Sequence, residues 1–132
     1  MRYKKGNVIN KSGIRFKDTG EPDPKGRHPA MIAIPLVRKS QYMYYLTLTS
    51  KVDKYVNHPQ FRDKYALVKR TPYNLLRKSS LVNLANIYKD QIASDRPVAF
   101  IQPDEYDMIM ARFKSYQTKH PDEYYEEIKD LI

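Results

Sequence analysis

The sequence predicts a mainly β fold, a small barrel followed by C-terminal helices. Short runs rich in apolar, aromatic and β-branched residues follow one another closely through residues 6–101, a spacing typical of the strands of a small barrel. No run between them is long enough for the helical crossover that joins parallel strands. Helical periodicity, with apolar side chains three or four positions apart, begins only at residue 106.

The first two strands are expected at residues 6–10 and 13–16, joined as a hairpin by Lys11 and Ser12. Residues 17–29 carry Gly or Pro at five positions, which predicts a loop. A loop of this length is unusual in a small domain and is typical of a lid or a binding segment.

Two strands form the predicted centre of the sheet. Residues 30–37 are an almost continuous apolar run, which indicates a strand buried on both faces, and Pro35 marks a bulge or an edge. Residues 42–49 are aromatic and β-branched, and we expect them to pair with the preceding strand.

Three further strands are predicted, at residues 65–68, 80–87 and 96–101. The segment before them, residues 50–63, is polar and charged and is interpreted as a long connection. A basic loop, residues 69–72, follows the first of the three.

Two helices complete the chain. The first follows Pro103 and is expected to bury one face, formed by Tyr106, Ile109, Met110 and Phe113. The second begins near Asp122 and places on one face Tyr124, Ile128 and Leu131. We therefore divide the chain into a barrel domain with its C-terminal helix, residues 1–117, and an acidic helical extension, residues 118–132.

The charge of the chain is uneven. The total of +9 points to an anionic partner, with nucleic acid the first candidate. Residues 104–132 hold four basic and eight acidic side chains, a net charge of −4, so the rest of the chain carries +13. The anion-binding surface is therefore expected on the barrel. The acidic tail is either a solvated structural helix or an intramolecular competitor for that surface.

Several kinds of chemistry are excluded by what the sequence lacks. There is no cysteine, which excludes thiol catalysis, disulfides and thiolate metal sites. There is no Gly-rich phosphate loop, and the three histidines stand far apart, so we expect neither a cofactor nor a metal. No run approaches the roughly 20 apolar residues that span a bilayer, and no signal peptide is recognisable. We expect a cytoplasmic protein with no membrane partner.

The first candidate cluster lies at the entrance to the buried strand. It contains Lys25, Arg27 and His28 beside Gly26 and Pro29. A guanidinium can hold a phosphate through two hydrogen bonds, and an imidazole can exchange a proton near neutral pH. The alternative is a basic surface turn with no catalytic role.

The second cluster closes the strand at residues 42–49. Thr47 and Thr49 share one face by alternation, and Ser50 and Lys51 follow directly. Hydroxyls beside an ammonium can stabilise a pentacoordinate phosphorane. The alternative is an ordinary strand end, because Thr favours strands.

A third, basic and aromatic strip suits the binding of single-stranded nucleic acid. Its candidate RNA-binding residues are Lys69, Arg70, Lys78, Ser80, Asn86 and Tyr88, and Lys25, Thr47 and Lys51 of the first two clusters are assigned the same role. Tyr is also a common core and strand residue, so a structural role is the alternative.

Five short motifs occur in a characteristic order. They are Gly6-Asn7-Val8, Gly26-Arg27-His28-Pro29, Leu48-Thr49-Ser50-Lys51, Ser80-Leu81-Val82 and Asn86-Ile87-Tyr88. Together they resemble the MazF/PemK/Kid family, the small endoribonuclease toxins of toxin–antitoxin pairs, over about residues 4–116. The runs at residues 31–36 and 46–50 also resemble the core strands of the related ToxN/AbiQ-like toxins, which are built on the same barrel and restrained by a small RNA.

The resemblance implies an SH3-like barrel that forms a homodimer and cleaves single-stranded RNA without a metal. In that family the 2′-hydroxyl attacks the adjacent phosphate and leaves a 2′,3′-cyclic phosphate. By position, the family's catalytic arginine falls on His28 and its threonine on Thr49, while a later arginine falls on Tyr88. The expected roles are phosphate anchor for Arg27, general acid or base for His28, and transition-state hydrogen-bond donors for Thr49 and Ser50. The expected partner is a cognate antitoxin, either a protein or a small RNA.

The changed arginine positions favour one alternative, a non-catalytic SH3-like module that binds RNA or a partner. A DNA-binding protein is a weaker alternative, because both predicted C-terminal helices are acid-rich and no basic recognition helix is visible.

Overall fold

The computed structural model describes residues 3–35, 42–59, 62–91 and 96–132. Its strands are β1 (Asn7–Ser12), β2 (Arg27–Ile34), β3 (Tyr42–Thr49), β4 (Tyr65–Val68), β5 (Ser80–Asn83), β6 (Tyr88–Gln91) and β7 (Ala99–Phe100). Its helices are α1 (Val52–Val56), α2 (Pro103–Lys119) and α3 (Tyr125–Ile128), with a final 3₁₀ turn at Lys129–Leu131. No helix within these ranges is both long and apolar enough to cross a membrane.

The strands form one curled antiparallel sheet. Its order is β4-β5-β3-β2-β1-β7, and β6 pairs with the first half of β3 while β5 pairs with its end. Every strand pairing described is antiparallel, so no helical crossover is needed. The mainly β class with C-terminal helices is confirmed.

The two central strands pair and are buried on both faces; the pairing, and the burial of β2, are as predicted. In β2 every residue from Ala30 to Ile34 is at most 4% exposed. Met31 and Leu46 face a large core that includes α2, whereas Ile32 and Tyr45 face a smaller core on the opposite side. The pairing register shifts between Ile32 and Ile34. This bulge lies just before Pro35, the position that the sequence indicated, and residues 36–37 of the predicted strand lie outside the described residues.

Helix α2 covers the large core. The four side chains that the periodicity selected, Tyr106, Ile109, Met110 and Phe113, are all buried, which confirms the predicted face. Pro103 occupies the first turn, and the Gln102 N–H donates to the Glu105 carboxylate at 3.0 Å in a capping box. The Tyr106 hydroxyl donates to the Ala33 carbonyl at 2.6 Å, which fixes the helix against β2.

Gly6 is required by the backbone geometry where β1 begins. Its φ is +87°, and a Cβ atom at this position would lie 2.6 Å from the carbonyl oxygen of Ile101. Its N–H donates to Ile32, and its carbonyl accepts from the N–H of Ile101. The glycine therefore joins three segments where a side chain does not fit.

The predicted first hairpin is wrong. Lys11 and Ser12 are not a turn, because β1 continues through them and pairs them with His28 and Arg27 of β2. The Lys11 ammonium is held 3.0 Å from the Asp90 carboxylate, which allows a lysine in a buried strand position. Residues 13–16 form no strand of their own, and the only bridge described there joins Arg15 to Pro22.

The predicted loop over residues 17–29 is correspondingly too long at its C-terminal end. Strand β2 begins at Arg27, so His28 and Pro29 are strand residues paired with β1. The described pairs between β2 and β3 begin only at Ala30. Proline is tolerated at residue 29 because the strand has a recorded partner on only one side there.

The strand predicted at residues 80–87 ends at Asn83. The Asn83 carboxamide oxygen accepts the N–H of Ala85 at 2.8 Å, a local turn that competes with strand pairing. A separate strand, β6, follows and was not predicted. The strand predicted at residues 96–101 is reduced to β7, and the connection at residues 50–63 contains the unpredicted helix α1.

The C-terminal segment packs on the barrel. Ile128 is fully buried in the large core, whereas Leu131, predicted on the same face, is 46% exposed. The buried Gln117 amide donates to the Leu84 carbonyl and accepts the N–H of Asp122 at 2.7 Å. The described arrangement therefore gives this acidic segment a structural role.

Candidate active site

A cavity of about 430 Å³ opens at the ends of β2, β3 and β5, below the loop of residues 13–26 and beside α1. Eight of the residues selected from the sequence line it, namely Lys25, Arg27, His28, Thr47, Thr49, Ser50, Lys51 and Tyr88. All four candidate catalytic residues are among them. The structure thus brings together two clusters that are about twenty positions apart in the sequence.

The antiparallel pairing of β2 and β3 explains this convergence. Ala30 lies opposite Thr47, and continuing the same register by two residues places His28 level with Thr49. Opposite residues of an antiparallel pair point to the same face of the sheet. The imidazole and both threonine hydroxyls therefore lie on the cavity side of the sheet.

His28 is held by a carboxylate. Its Nδ1 lies 2.7 Å from Oδ2 of Asp23, whose side chain is only 5% exposed. The ring of Phe16 packs against the imidazole edge to face, with ring centroids 5.0 Å apart. Nε2 has no hydrogen-bond partner in the part of the chain that the structure describes. The ring is thus oriented from two sides, with one nitrogen left for a ligand.

Asp23 was missed by the sequence reasoning. It begins the turn Asp23-Pro24-Lys25-Gly26, in which the Gly26 N–H donates to the Asp23 carbonyl and the Lys25 N–H donates to Oδ1 at 2.8 Å. The sequence does indicate the turn, because Asp-Pro-x-Gly is a typical turn sequence. That the turn folds Asp23 back against His28 depends on where β2 begins.

Three cations line the cavity, Lys25, Arg27 and Lys51, and all are exposed. Ser50 is exposed beside them, and the hydroxyl oxygen of Thr49 accepts the N–H of Lys51 at 3.2 Å. Positive charge and hydroxyl donors at one opening suit a phosphate group.

Tyr88 forms part of the cavity wall but is also a core residue. It is 7% exposed, and its ring stacks on Tyr45 with an interplanar angle of 11°. Its hydroxyl oxygen accepts the N–H of Lys17 at 3.1 Å. Burial raises the pKa of Tyr88, so its phenol stays neutral at physiological pH.

Two further tyrosines of the wall were not selected from the sequence. Tyr55 of α1 stacks on Tyr65 of β4, with ring centroids 4.8 Å apart. Burial raises the pKa of Tyr65 to about 12. No sequence signal distinguished this pair from the other tyrosines of the chain.

Five predicted RNA-binding residues do not line the cavity: Lys69, Arg70, Lys78, Ser80 and Asn86. Of these, Lys69, Arg70 and Lys78 are exposed around the end of the β4–β5 hairpin that is far from the cavity. Ser80 is buried and donates to the Lys78 carbonyl, and the Asn86 amide donates to the Asp18 carboxylate at 2.9 Å.

A smaller depression of about 260 Å³ lies against α2 and is lined by none of the predicted residues. Within the described ranges, no group of three or more His, Asp or Glu side chains is arranged to hold a metal ion.

Comparisons with known proteins identify the fold. No protein-family profile and no curated protein matches the sequence. Among solved structures, the chain is similar to the Mycobacterium tuberculosis toxin MazF-mt6, with a TM-score of 0.58 and 10% identity over 85% of this chain and 96% of that one. It is also similar to an endoribonuclease in complex with its cognate antitoxin from a mycobacterial species, with a TM-score of 0.55 and 14% identity over 86% and 91% of the two chains. The chain therefore has the fold of the MazF toxins.

Proposed function

We propose that this protein is the toxin of a toxin–antitoxin pair and that it cleaves single-stranded RNA without a metal ion. The observation that carries the proposal is the convergence of His28, Thr49 and the cavity cations at one opening of a MazF-type sheet. Both similar structures are described as a toxin or an endoribonuclease.

Binding begins with the RNA backbone. Arg27 anchors the scissile phosphate, and Lys25 and Lys51 supply further positive charge at the cavity opening. A guanidinium suits this role because it offers paired N–H donors to phosphate oxygens.

Cleavage proceeds by attack from within the RNA. The 2′-hydroxyl gives its proton to Nε2 of His28 as its oxygen bonds to phosphorus. The bond from phosphorus to the 5′-oxygen breaks, and that oxygen takes a proton from solvent, to which the imidazolium returns its own. The products are a 2′,3′-cyclic phosphate and a 5′-hydroxyl. A positioned general base of this kind contributes about 10²–10⁴-fold in rate.

The hydroxyls of Thr49 and Ser50 donate hydrogen bonds to the non-bridging oxygens as charge builds on them. Thr49 is suited to this because the Lys51 N–H already donates to its oxygen, while the hydroxyl proton stays available to donate. Loss of one such donor typically costs about 10²–10³-fold in rate.

One of the similar structures contains an endoribonuclease bound to its cognate antitoxin, and we propose a partner of the same kind for this chain. The partner of this chain is then an antitoxin, a protein or a small RNA, and the toxin acts as a homodimer in the cytoplasm. We also propose that residues 1–117 form the barrel domain with its C-terminal helix and that residues 118–132 form an acidic helical extension.

The test is incubation of the purified protein with mixed single-stranded RNA in excess EDTA. We expect fragments that end in a 2′,3′-cyclic phosphate, identified by mass spectrometry. His28→Ala and Thr49→Val should each reduce the rate at least about 10²-fold, whereas Lys114→Ala, on the exposed face of α2, should not. Intact RNA, or cleavage by both site variants at the wild-type rate, would rule the proposal out.

A second candidate is a non-catalytic RNA-binding module. It is favoured by Tyr88, which stands where the family has an arginine and whose hydroxyl is already bonded to Lys17. This candidate predicts RNA affinity that falls steeply with salt, no cleavage products, and no growth arrest when the protein is expressed.

A further inference from the structure

We infer that Asp23 is a positioning residue for His28, holding the imidazole in the tautomer that carries its proton on Nδ1 and leaves Nε2 free to accept one. The inference rests on the proposed function, because it concerns the same site. It adds a carboxylate–imidazole pair where the family motif has an arginine.

The contact between the two side chains is close. The 2.7 Å separation of Nδ1 and Oδ2 is at the short end of N–H···O distances and is typical of a bond to an ionised carboxylate. The Asp23 side chain is 5% exposed and that of His28 is 22% exposed, so water competes little for the carboxylate oxygen.

The two carboxylate oxygens have separate tasks. Oδ1 accepts the Lys25 N–H at 2.8 Å, which is a common local role for an aspartate that starts a turn. Oδ2 is directed at the imidazole. The turn alone uses one oxygen, so the second contact calls for a separate explanation.

The loop holds Asp23 in place through its backbone. The Asp23 N–H donates to the Ile14 carbonyl at 3.2 Å, and its carbonyl accepts the Gly26 N–H at 3.0 Å. In the same loop, Phe16 packs edge to face on the imidazole. The ring is therefore held by a polar contact on one side and an apolar contact on another.

The chemical consequence follows from the direction of the bond. An ionised carboxylate only accepts, so Nδ1 must carry the proton and Nε2 keeps its lone pair. When Nε2 takes the proton of the 2′-hydroxyl, the ring becomes an imidazolium whose charge Asp23 stabilises. The same division of roles is found in hydrolases that pair histidine with aspartate, where the Asn variant presents the wrong tautomer.

The test compares the wild type with Asp23→Asn, using Glu21→Gln as a matched control. Asn keeps an oxygen for the Lys25 N–H but turns an NH₂ group toward Nδ1, which favours the opposite tautomer. Glu21 lies in the same loop and is exposed, so its variant removes one charge without touching His28. The tautomer is measured by ¹⁵N NMR of the histidine rings, with His28 assigned from its absence in His28→Ala.

We expect the wild type and Glu21→Gln to show protonated Nδ1, and Asp23→Asn to shift to protonated Nε2. With RNA, Asp23→Asn should lower kcat by about 10²-fold or more with little change in KM, since phosphate binding is left intact. A wild-type ring protonated on Nε2, or an unchanged tautomer in Asp23→Asn, would overturn the inference. The NMR measurement needs no RNA, so failure to cleave RNA would count against the proposed function alone.

Discussion

The ammonium of Lys17 lies 3.1 Å from the carboxylate of Asp122 and joins the loop above the cavity to the C-terminal segment. The Asp122 side chain is 6% exposed and also accepts the N–H groups of Ile87 and Tyr124. One carboxylate therefore connects the cavity loop, the segment before β6 and the segment before α3.

We predict that Asp122→Ala lowers the free energy of unfolding by about 2–3 kcal/mol, because two backbone N–H groups lose their acceptor and the half-buried Lys17 ammonium loses one of its two carboxylate partners. Urea unfolding measures this. The control is Glu123→Ala, since Glu123 is also 3.1 Å from Lys17 but is 67% exposed. We expect it to cost less than about 1 kcal/mol, and equal losses for both variants would contradict the central role of Asp122.

The C-terminal segment should be part of the cooperative fold. Ile128 is fully buried in the large core, and Leu131 is 46% exposed. We expect Ile128→Ala to cost about 2–5 kcal/mol and Leu131→Ala less than about 1 kcal/mol, both by thermal or urea unfolding. A small effect of Ile128→Ala would mean that the segment folds apart from the barrel.

Gly6→Ala should destabilise the protein more than any other Gly→Ala change in the chain. The new Cβ would lie 2.6 Å from the Ile101 carbonyl oxygen, in addition to the strain of a positive φ, about 1 kcal/mol or more. Gly20→Ala is the control, because Gly20 has a φ of +72° but no atom within 4 Å of its Cβ position. The difference between the losses in unfolding free energy of the two variants measures the clash of the new Cβ with the Ile101 carbonyl. Equal losses would show that the backbone at Ile101 moves aside.

The ionised carboxylate of Glu127 should contribute to the free energy of unfolding, and this contribution should be lost in acid. The Tyr44 hydroxyl donates to its carboxylate at 2.7 Å and the Lys89 ammonium at 3.1 Å, and these bonds lower the pKa of Glu127 below its usual 4.5. A lowered carboxyl pKa stabilises the fold above the unfolded-state pKa, and the effect disappears as pH falls through the folded-state pKa.

We therefore expect Glu127→Gln to be less stable than the wild type at neutral pH, with the difference vanishing below the pKa of the carboxyl. Glu126→Gln on the same helix, where the side chain is 82% exposed, is the control and should change stability little at any pH. A deficit in Glu127→Gln that persists unchanged into acid would point to a lost packing contact instead.

Sequence patterns predicted the elements that depend on local hydrophobicity. The strands at residues 42–49 and 65–68 have the expected bounds, and the buried face of α2 has the four expected side chains. The elements that were predicted wrongly depend on contacts with residues far away in the sequence. Lys11 is a strand residue because β1 pairs with β2 there, and the Asp90 carboxylate holds its buried ammonium. Strand β6 has a polar sequence, and its pairing with β3 makes it a strand.

The candidate site divides in the same way. The sequence selected His28 and Thr49 because their residue types suit phosphate chemistry. It could not select Asp23, because nothing in the sequence indicates that a turn directs a carboxylate at Nδ1. The sequence also could not show that Lys25, Arg27 and Lys51 line the cavity while Arg70 does not. A basic residue type does not indicate at which end of a strand the residue lies.

We predict that Arg70 and the cavity cations bind different parts of a long RNA. Strand β4 runs from Tyr65 in the cavity wall to Val68, and Arg70 follows it. Five residues of extended chain span roughly 16 Å. We expect a trinucleotide to be held within the cavity and to leave Arg70 uncontacted, whereas a long single-stranded RNA extends to it. Arg27→Gln should weaken the binding of both RNAs by about 1.5 kcal/mol, roughly tenfold in Kd, and should reduce the salt dependence of each by about 0.7 in slope. Arg70→Gln should weaken the binding of the long RNA only, and Arg112→Gln, on the exposed side of α2, should weaken the binding of neither RNA.

Binding is measured by fluorescence anisotropy with His28→Ala as the background, so that the RNA stays intact. If Arg70→Gln weakens the trinucleotide as much as Arg27→Gln does, the RNA enters from the far end of the β4–β5 hairpin and the cavity is not where its phosphate is held.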